Sequence, residues 1–283
     1  MNVQSRASTL VSAIIPAYNR EDSLPATVRS VVANDHRPVE IVIVDDGSSD
    51  KTLTVARELA VAHTAPDVRF IVRHQYNQGA PAARNHGMDL STGTYLFFLD
   101  SDDVITPHKI SRQLAAMRRA HADLCVGDFE IHYLGEQNTE VKVVSNENAR
   151  RKVILNQSVG CSSTLLHRDL ATAVRWTESL PNYQDMDYFL KCLVLAKRVV
   201  HLPEVVYRYY RYASGTISTA NRGRKIPFQT RLRSLRQDAL GNKHYNSGVA
   251  RARSLAAIGV LQLLRLKSQL LGRVRSGEVK SAT

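Results

Sequence analysis

Tyr95-Leu96-Phe97-Phe98-Leu99 runs directly into Asp100-Ser101-Asp102-Asp103. An apolar run that ends abruptly in acids reads as a buried strand whose carboxyl end opens into a site. Carboxylates crowded at one strand end repel one another unless a cation or hydrogen-bond donors sit among them. Hard cations such as Mg²⁺ use one or two carboxylates together with phosphate oxygens. The stretch therefore suggests a divalent metal holding a phosphorylated ligand. The competing reading is an ordinary acidic loop after a strand.

Upstream of this strand the chain alternates strand and helix signals. Val11 to Ile15 is a short apolar run that Pro16 ends. Asp22 can cap a helix in which Leu24, Val28, Val31 and Val32 share one face. The β-branched run Ile41-Val42-Ile43-Val44 stops at Asp45-Asp46-Gly47, and Asp50 can cap the next helix. A third strand is expected over 68–72 and a helix over 80–90, leading into the strand at Tyr95. This βαβαβαβ order, with near-continuous apolar strands, predicts a parallel sheet covered by helices on both faces. Ligands of such sheets bind beyond the carboxyl ends of the strands, where every polar cluster here lies.

After Val104 the rhythm changes. The pattern predicts a helix over 110–121, a strand near 124–126 and an irregular polar stretch over 135–148. A helix over 184–196 and a Tyr-rich strand over 205–210 follow. Beyond Gly223 the chain is Leu-rich, basic and helical in pattern.

The formal charge of +12 is unevenly spread over the 283 residues. Residues 222–283 hold fourteen Lys and Arg against two acids, whereas residues 1–221 hold 24 of each sign. Two compositions in one chain suggest two jobs. Cys125, Cys161 and Cys192 are odd in number and far apart, so neither a disulfide framework nor a zinc site is indicated. The expected setting is reducing and cytoplasmic. No apolar run reaches the roughly 18 residues of a membrane span, and residues 1–9 lack the apolar stretch of a signal peptide.

Four further clusters accompany the acid stretch. Pro16-Ala17-Tyr18-Asn19-Arg20 can present backbone groups and a ring face to a flat ligand, or form a plain strand-to-helix turn. In Asp45-Asp46-Gly47-Ser48-Ser49-Asp50, a carboxylate can accept a base N–H or ribose hydroxyls, while turn and cap chemistry explains Asp50. In Asn77-Gln78-Gly79-Ala80-Pro81-Ala82-Ala83-Arg84-Asn85, small residues allow close approach to a helix N-terminus, which favours anions. Arg84 can pair with a phosphate, hold an acid of the site, or form a structural salt bridge. In Tyr183-Gln184-Asp185-Met186-Asp187-Tyr188 the two acids do not share a helical face. One can enter a site while the other caps or faces solvent.

In this order and spacing, the clusters resemble the family 2 glycosyltransferases of GT-A fold. The resemblance is strong over about residues 9–110, fair to about residue 211, and does not extend to 222–283. It implies an α/β, Rossmann-like, mostly parallel sheet with helices on both faces, plus a C-terminal helical extension. The catalytic domain would span 1–221, with a nucleotide-sugar half (1–103) and an acceptor-side half (104–221), and the basic extension 222–283. The resemblance places Pro16, Ala17, Tyr18, Asn19, Asp46, Gly79, Arg84, Asp100 and Ser101 at the nucleotide sugar. Ala17, Tyr18 and Asp46 would contact the base, Arg84 would lie near base and phosphates, and Asp100 would contact the ribose. Asp102 would hold Mg²⁺ or Mn²⁺, and Asp185 would be the catalytic base. Gln184 stands where the family usually has Glu, which leaves the base in place. Arg211, in the closing Tyr207-Arg208-Tyr209-Tyr210-Arg211 strand, would reach the diphosphate.

The reaction so implied is inverting transfer of one sugar, UDP being the commonest carrier, to a glycan or lipid-linked acceptor hydroxyl in surface polysaccharide or glycoconjugate synthesis. Processive members carry Gln-x-x-Arg-Trp and membrane spans; here Arg175-Trp176 follows Thr172, which favours single transfer. A sugar nucleotidyltransferase is the alternative enzyme, but it wants a Gly-rich, basic phosphate loop after the first strand. A non-catalytic anionic-surface module on a degenerate transferase fold is the other alternative, and intact Asp102 and Asp185 argue against it. Residues 222–283 either pack on the catalytic domain or a second subunit, or adsorb to anionic lipid at the inner face of the membrane. Nucleic acid ranks last, because no base-reading module or aromatic platform accompanies the charge.

Overall fold

The computed structural model describes residues 9–134, 139–148, 159–180 and 184–212. The basic segment 222–283, expected to be helical, lies outside the described residues. The first half contains β1 (Val11–Ala17), α1 (Leu24–Val32), β2 (Val39–Asp45), α2 (Thr52–His63), β3 (Val68–His74), α3 (Ala80–Leu90) and β4 (Tyr95–Phe98). Then come β5 (Val104–Ile105), α4 (Lys109–Ala120), β6 (Leu124–Leu134), β7 (Thr139–Val144), a 3₁₀ turn (Cys161–Ser163) and β8 (Thr164–His167). The last described elements are α5 (Arg168–Thr172), α6 (Gln184–Leu195) and β9 (Val199–Tyr212).

The strands form one sheet in the order β3-β2-β1-β4-β8-β6-β9-β5, with β7 paired to β6. The first four strands are mutually parallel, as the alternating pattern requires. The second half is mixed: β8 runs antiparallel to β4 and β6, while β9 runs parallel to β6. Side chains alternate between two cores. Ala13, Ile15, Ile41, Ile43, Phe97 and Leu99 meet Leu24, Val28 and Leu114 of α1 and α4 on one face. Ile14, Val42, Val44, Leu96 and Phe98 meet Ala83, Met88, Tyr188 and Cys192 of α3 and α6 on the other. Burial on both faces is why these strands read as unbroken apolar runs.

Several expectations need correction. Pro16 does not end the first strand, which continues to Ala17 with Pro16 opposite Val44. The carbonyl of Ile14 faces β4 and accepts from Leu99, so Pro16, two residues on, faces the same edge just past the last paired residue of β4. A missing N–H costs no ladder bond there. Asp22 does not cap α1; Ser23 precedes the helix, and its hydroxyl donates to the Ser101 carbonyl (2.9 Å). Asp50 does satisfy the start of α2, accepting from the Thr52 amide at 2.9 Å.

The stretch 135–148 is not wholly irregular, because β7 pairs with β6 from Phe129↔Val144 to Leu134↔Thr139. Its Val141 and Val143 are exposed, so burial leaves no signature in the sequence. Likewise β6 extends to Leu134 and β9 begins at Val199; the register slips where Gly127↔Leu202 gives way to Asp128↔Val205, beside Pro203. That irregularity, next to the only residue type that cannot donate, made the strand look shorter.

One buried cation stands out in the second half. Lys109 on α4 is 1% exposed and lies over the Phe97 ring at 4.8 Å. It donates to Gln113 Oε1 (2.5 Å) and to the Thr164 carbonyl (3.0 Å), while Gln113 Nε2 donates to the Ser163 carbonyl (2.8 Å). Burial pulls its pKa from the ordinary 10.5 down to about 7. Between those values the unfolded chain binds the extra proton and the folded one does not, so stability rises with pH across that window. The penalty is present in full below pH 7. Urea unfolding of the wild type between pH 7 and 10 should show this rise, and Lys109→Met should lack it.

Candidate active site

The site is built at the carboxyl ends of the four parallel strands. The loop after β1 carries Tyr18, 46% exposed, and then Asn19 with φ of 51°. Asn and Gly adopt that left-handed region most readily. The conformation lets Asn19 Oδ1 accept from the Ser49 amide (2.9 Å), while the Asn19 amide donates to Ser48 Oγ (2.9 Å). Asn19 is therefore a clamp between the first two loops. Pro16 and Ala17 are buried in β1, and the Ala17 carbonyl accepts from the Asp46 amide at 2.8 Å.

Asp46 is buried and holds the third loop. Its Oδ1 accepts from Gln75 Nε2 (2.8 Å) and the Gln78 amide (2.9 Å), and its Oδ2 from the Gly79 amide (2.8 Å). An ionised carboxylate offers about four acceptor directions, so the internal bonds leave room for one ligand donor. Gly47, at φ 76°, lets this loop approach: a Cβ there would lie 2.7 Å from the Asn77 nitrogen. Asp45 points elsewhere, pairing with His74 Nδ1 at 2.7 Å.

The acid loop after β4 is held from three sides. Arg84 on α3 donates to Asp100 Oδ1 at 2.7 Å. Its guanidinium is buried and stacks over Trp176, 4.4 Å from the ring centroid. Burial is the largest single influence and opposes the cation, but the Asp100 charge, its hydrogen bond and the other nearby anionic groups together outweigh it, and the Arg84 pKa lies above its ordinary value. Trp176 is in turn fixed by Asn85, which donates to its carbonyl (3.0 Å) and accepts from its amide (2.9 Å). Of the three readings open to Arg84, the structure shows an ion pair with Asp100, which both the acid-holding and the structural salt-bridge readings contain.

Asp103 is 2% exposed and accepts from Ser162 Oγ at 2.8 Å; its Oδ1 has no partner among the described residues. Burial first, and then the charges of Asp100 and Asp102, raise its pKa well above the usual carboxylate range. Asp102 is largely buried, its side chain 19% exposed and 3.5 Å from Arg20 Nη2. Burial and the Asp100 charge raise its pKa, and Arg20 opposes them. Among the described residues no three His, Cys, Asp or Glu side chains converge into a complete metal cage. A partial set of carboxylate oxygens is what Mg²⁺ or Mn²⁺ needs when phosphate and water supply the remaining ligands.

Asp185 sits in the first turn of α6, where its Oδ1 accepts from the Met186 amide (2.8 Å). Its charge acts on Arg84, Cys161 and Tyr207. Asp187 neither caps nor faces solvent. It is buried against Lys191 Nζ (2.7 Å) and Thr177 Oγ1 (2.7 Å). Gln184 ties the helix start to the Leu180 carbonyl at 3.0 Å. Tyr188 stacks on Trp176 at 4.3 Å, so the helix bearing Asp185 and the helix bearing Arg84 share one aromatic support.

Thus Ala17, Tyr18, Asn19, Asp46, Gly79, Arg84, Asp100, Ser101 and Asp102 gather at the carboxyl ends of the parallel strands, and the Asp185 charge acts on Arg84. Arg211 lies in β9 opposite Tyr133, beyond the point where Arg208 pairs with Val104. Sequence reasoning missed Ser162, Ser23 and the support role of Trp176. Each works by a contact between segments far apart in the chain, and no local pattern marks it.

Four parallel strands feeding nucleotide-type loops, joined through an acid loop to a mixed-sheet half, define the GT-A class of fold. Solved structures agree: S. aureus TarS 1-349 in complex with UDP-GlcNAc superposes with a TM-score of 0.66 at 19% identity, over 88% of this chain and 70% of that one. The mannosyltransferase PcManGT from Pyrobaculum calidifontis, in complex with GDP-Man and Mn²⁺, gives 0.56 at 15% identity, over 94% and 81%. The family model described as Glycosyl transferase family 2 matches residues 12–169, and the chain belongs to that family as a glycosyltransferase. It is 30% identical to the Escherichia coli UDP-Glc:alpha-D-GlcNAc-diphosphoundecaprenol beta-1,3-glucosyltransferase WfaP, over 79% of this chain and 85% of that one. A second Escherichia coli enzyme described by the same activity, WfgD, is 29% identical over 66% and 70%.

Ser162→Ala should leave Asp103 buried without its side-chain donor. The expected cost is about 1–3 kcal/mol of unfolding free energy at neutral pH, measured by urea titration.

Proposed function

We propose that this glycosyltransferase moves one sugar from a UDP-sugar to a hydroxyl of a lipid-diphosphate-linked glycan, with inversion at the anomeric carbon, in surface polysaccharide or glycoconjugate synthesis. The reading is supported by the Asp100–Asp102 loop, which Arg84 holds at the carboxyl ends of the parallel strands, and by Asp185 at the start of α6, whose charge acts on Arg84. The donor and acceptor classes are supported by the activities that WfaP and WfgD are named for.

The chain's residues divide the work. Tyr18 offers an exposed ring face to the base, beside the free acceptor direction of Asp46. Asp100, held still by Arg84, accepts from the ribose. Asp102 is the residue that would hold Mg²⁺ or Mn²⁺. When bound, that ion supplies neutralisation of the charge on the departing nucleoside diphosphate. Asp185 accepts the proton of the acceptor hydroxyl as its oxygen bonds to the anomeric carbon and the bond to the diphosphate oxygen breaks. One displacement from the opposite face inverts that centre.

A thermal-shift panel of UDP-, GDP- and dTDP-sugars with Mn²⁺ tests the donor. A ligand that binds the native state raises the melting temperature by mass action, and the UDP-sugar should raise it most. A larger shift with GDP- or dTDP-sugars would replace UDP in this reading. Asp185→Asn should fold, keep its donor-induced shift and lose about 10²–10⁴-fold in turnover, the usual worth of a general base. Near-normal turnover would remove Asp185 from the mechanism.

A further inference from the structure

Two arginines meet the acid loop, and they meet it differently. Arg84 is buried and makes a 2.7 Å hydrogen bond to Asp100. Arg20 is 29% exposed and stands 3.5 Å from Asp102, an ion pair longer than a good hydrogen bond. The backbone of Arg20 is pinned, its amide donating to Thr52 Oγ1 at 2.7 Å. Beyond its partner Asp102, its guanidinium touches only a main-chain oxygen in the described contacts, the Asn19 carbonyl at 3.0 Å. A fixed backbone with a loosely paired head is the arrangement of a side chain that can change partners. The loop it springs from is also tied to the acid loop through Ser23 and the Ser101 carbonyl.

We propose that Arg20 is an exchangeable counter-ion: it neutralises Asp102 until a divalent cation takes that carboxylate, and then transfers to the donor diphosphate. This rests on the reading of Asp102 and the nucleotide donor given above. Asp100 has Arg84, and the partner placed at Asp102 is Arg20. A dication on Asp102 repels the guanidinium and brings phosphate oxygens within the same corner. Arg matches phosphate with paired N–H donors, which an ammonium does not. The exchange makes the cation and the nucleotide bind cooperatively, since each frees or uses the group that the other displaces.

Binding of Mn²⁺ alone, read from the free-ion electron paramagnetic resonance signal, and of UDP in saturating Mn²⁺, read by calorimetry, test this with wild type, Arg20→Met and Arg20→Lys. Arg20→Met keeps the stem and the Thr52 contact, and circular dichroism checks its fold. Losing a part-exposed competitor should tighten Mn²⁺ binding by about threefold. Losing a charge-assisted phosphate contact should weaken UDP by about tenfold or more. Arg20→Lys should fall between wild type and Arg20→Met for UDP. Unchanged or weaker Mn²⁺ binding in Arg20→Met, or unchanged UDP binding, overturns the exchange while leaving the donor reading intact. A wild type that binds neither UDP nor GDP with Mn²⁺ overturns both.

Discussion

The Arg84–Asp100 ion pair is the constraint on which the site depends. Three carboxylates within one tight loop cannot be brought to a buried strand end without compensation. Arg84 supplies it from a helix on the other side of the β1 and β2 ends, and its own burial is tolerable because Asp100 and the Trp176 face both favour the cation. Removing one partner of such a pair leaves an uncompensated charge, which costs several kcal/mol where the remaining group is buried. The aromatic stack of Trp176 on Tyr188 then transmits the position of Arg84 to α6 and to Asp185. The acid loop and Asp185 are thereby referenced to one rigid feature.

The other loops are fixed by side chains standing in for missing ladder bonds. Asn19 joins the first loop to the second, Asp46 joins the second to the third, and Ser23 joins the first to the acid loop. Ser162 reaches the acid loop from the 3₁₀ turn, and Lys109 and Gln113 brace that turn from behind through the Thr164 and Ser163 carbonyls. Buried polar groups in such a network are satisfied mutually or not at all, so the loops gain rigidity as a set. Asp46, for one, has a structural role, spending three acceptor directions on Gln75, Gln78 and Gly79.

The parallel half was legible because its signal is local. Ile41-Val42-Ile43-Val44 and Leu96-Phe97-Phe98 are buried on both faces, and nothing in their surroundings changes how such runs read. The mixed half was less legible. In β7 the valines face solvent, and in β9 Pro203 sits at a register slip, so hydrophobicity and proline rules both point away from strand. For the site, the order of the loop motifs placed Asp46, Arg84, Asp100 and Asp102 at one edge, because successive parallel strands must end on the same side.

The sequence by itself determined which strands are central, at which end of them the polar loops gather, and which acids crowd there; each follows from periodicity and from chain direction. Only the tertiary structure decided how the acids differ. Asp100 is fixed by Arg84, Asp103 is buried against Ser162, and Asp102 is left to a loosely held Arg20. It also separated Asp185 from Asp187, consigning the second to a buried pair with Lys191. The reason is that charge is a long-range property. What a carboxylate can do depends on the cations and donors around it, and here those come from residues distant in sequence that only folding brings together.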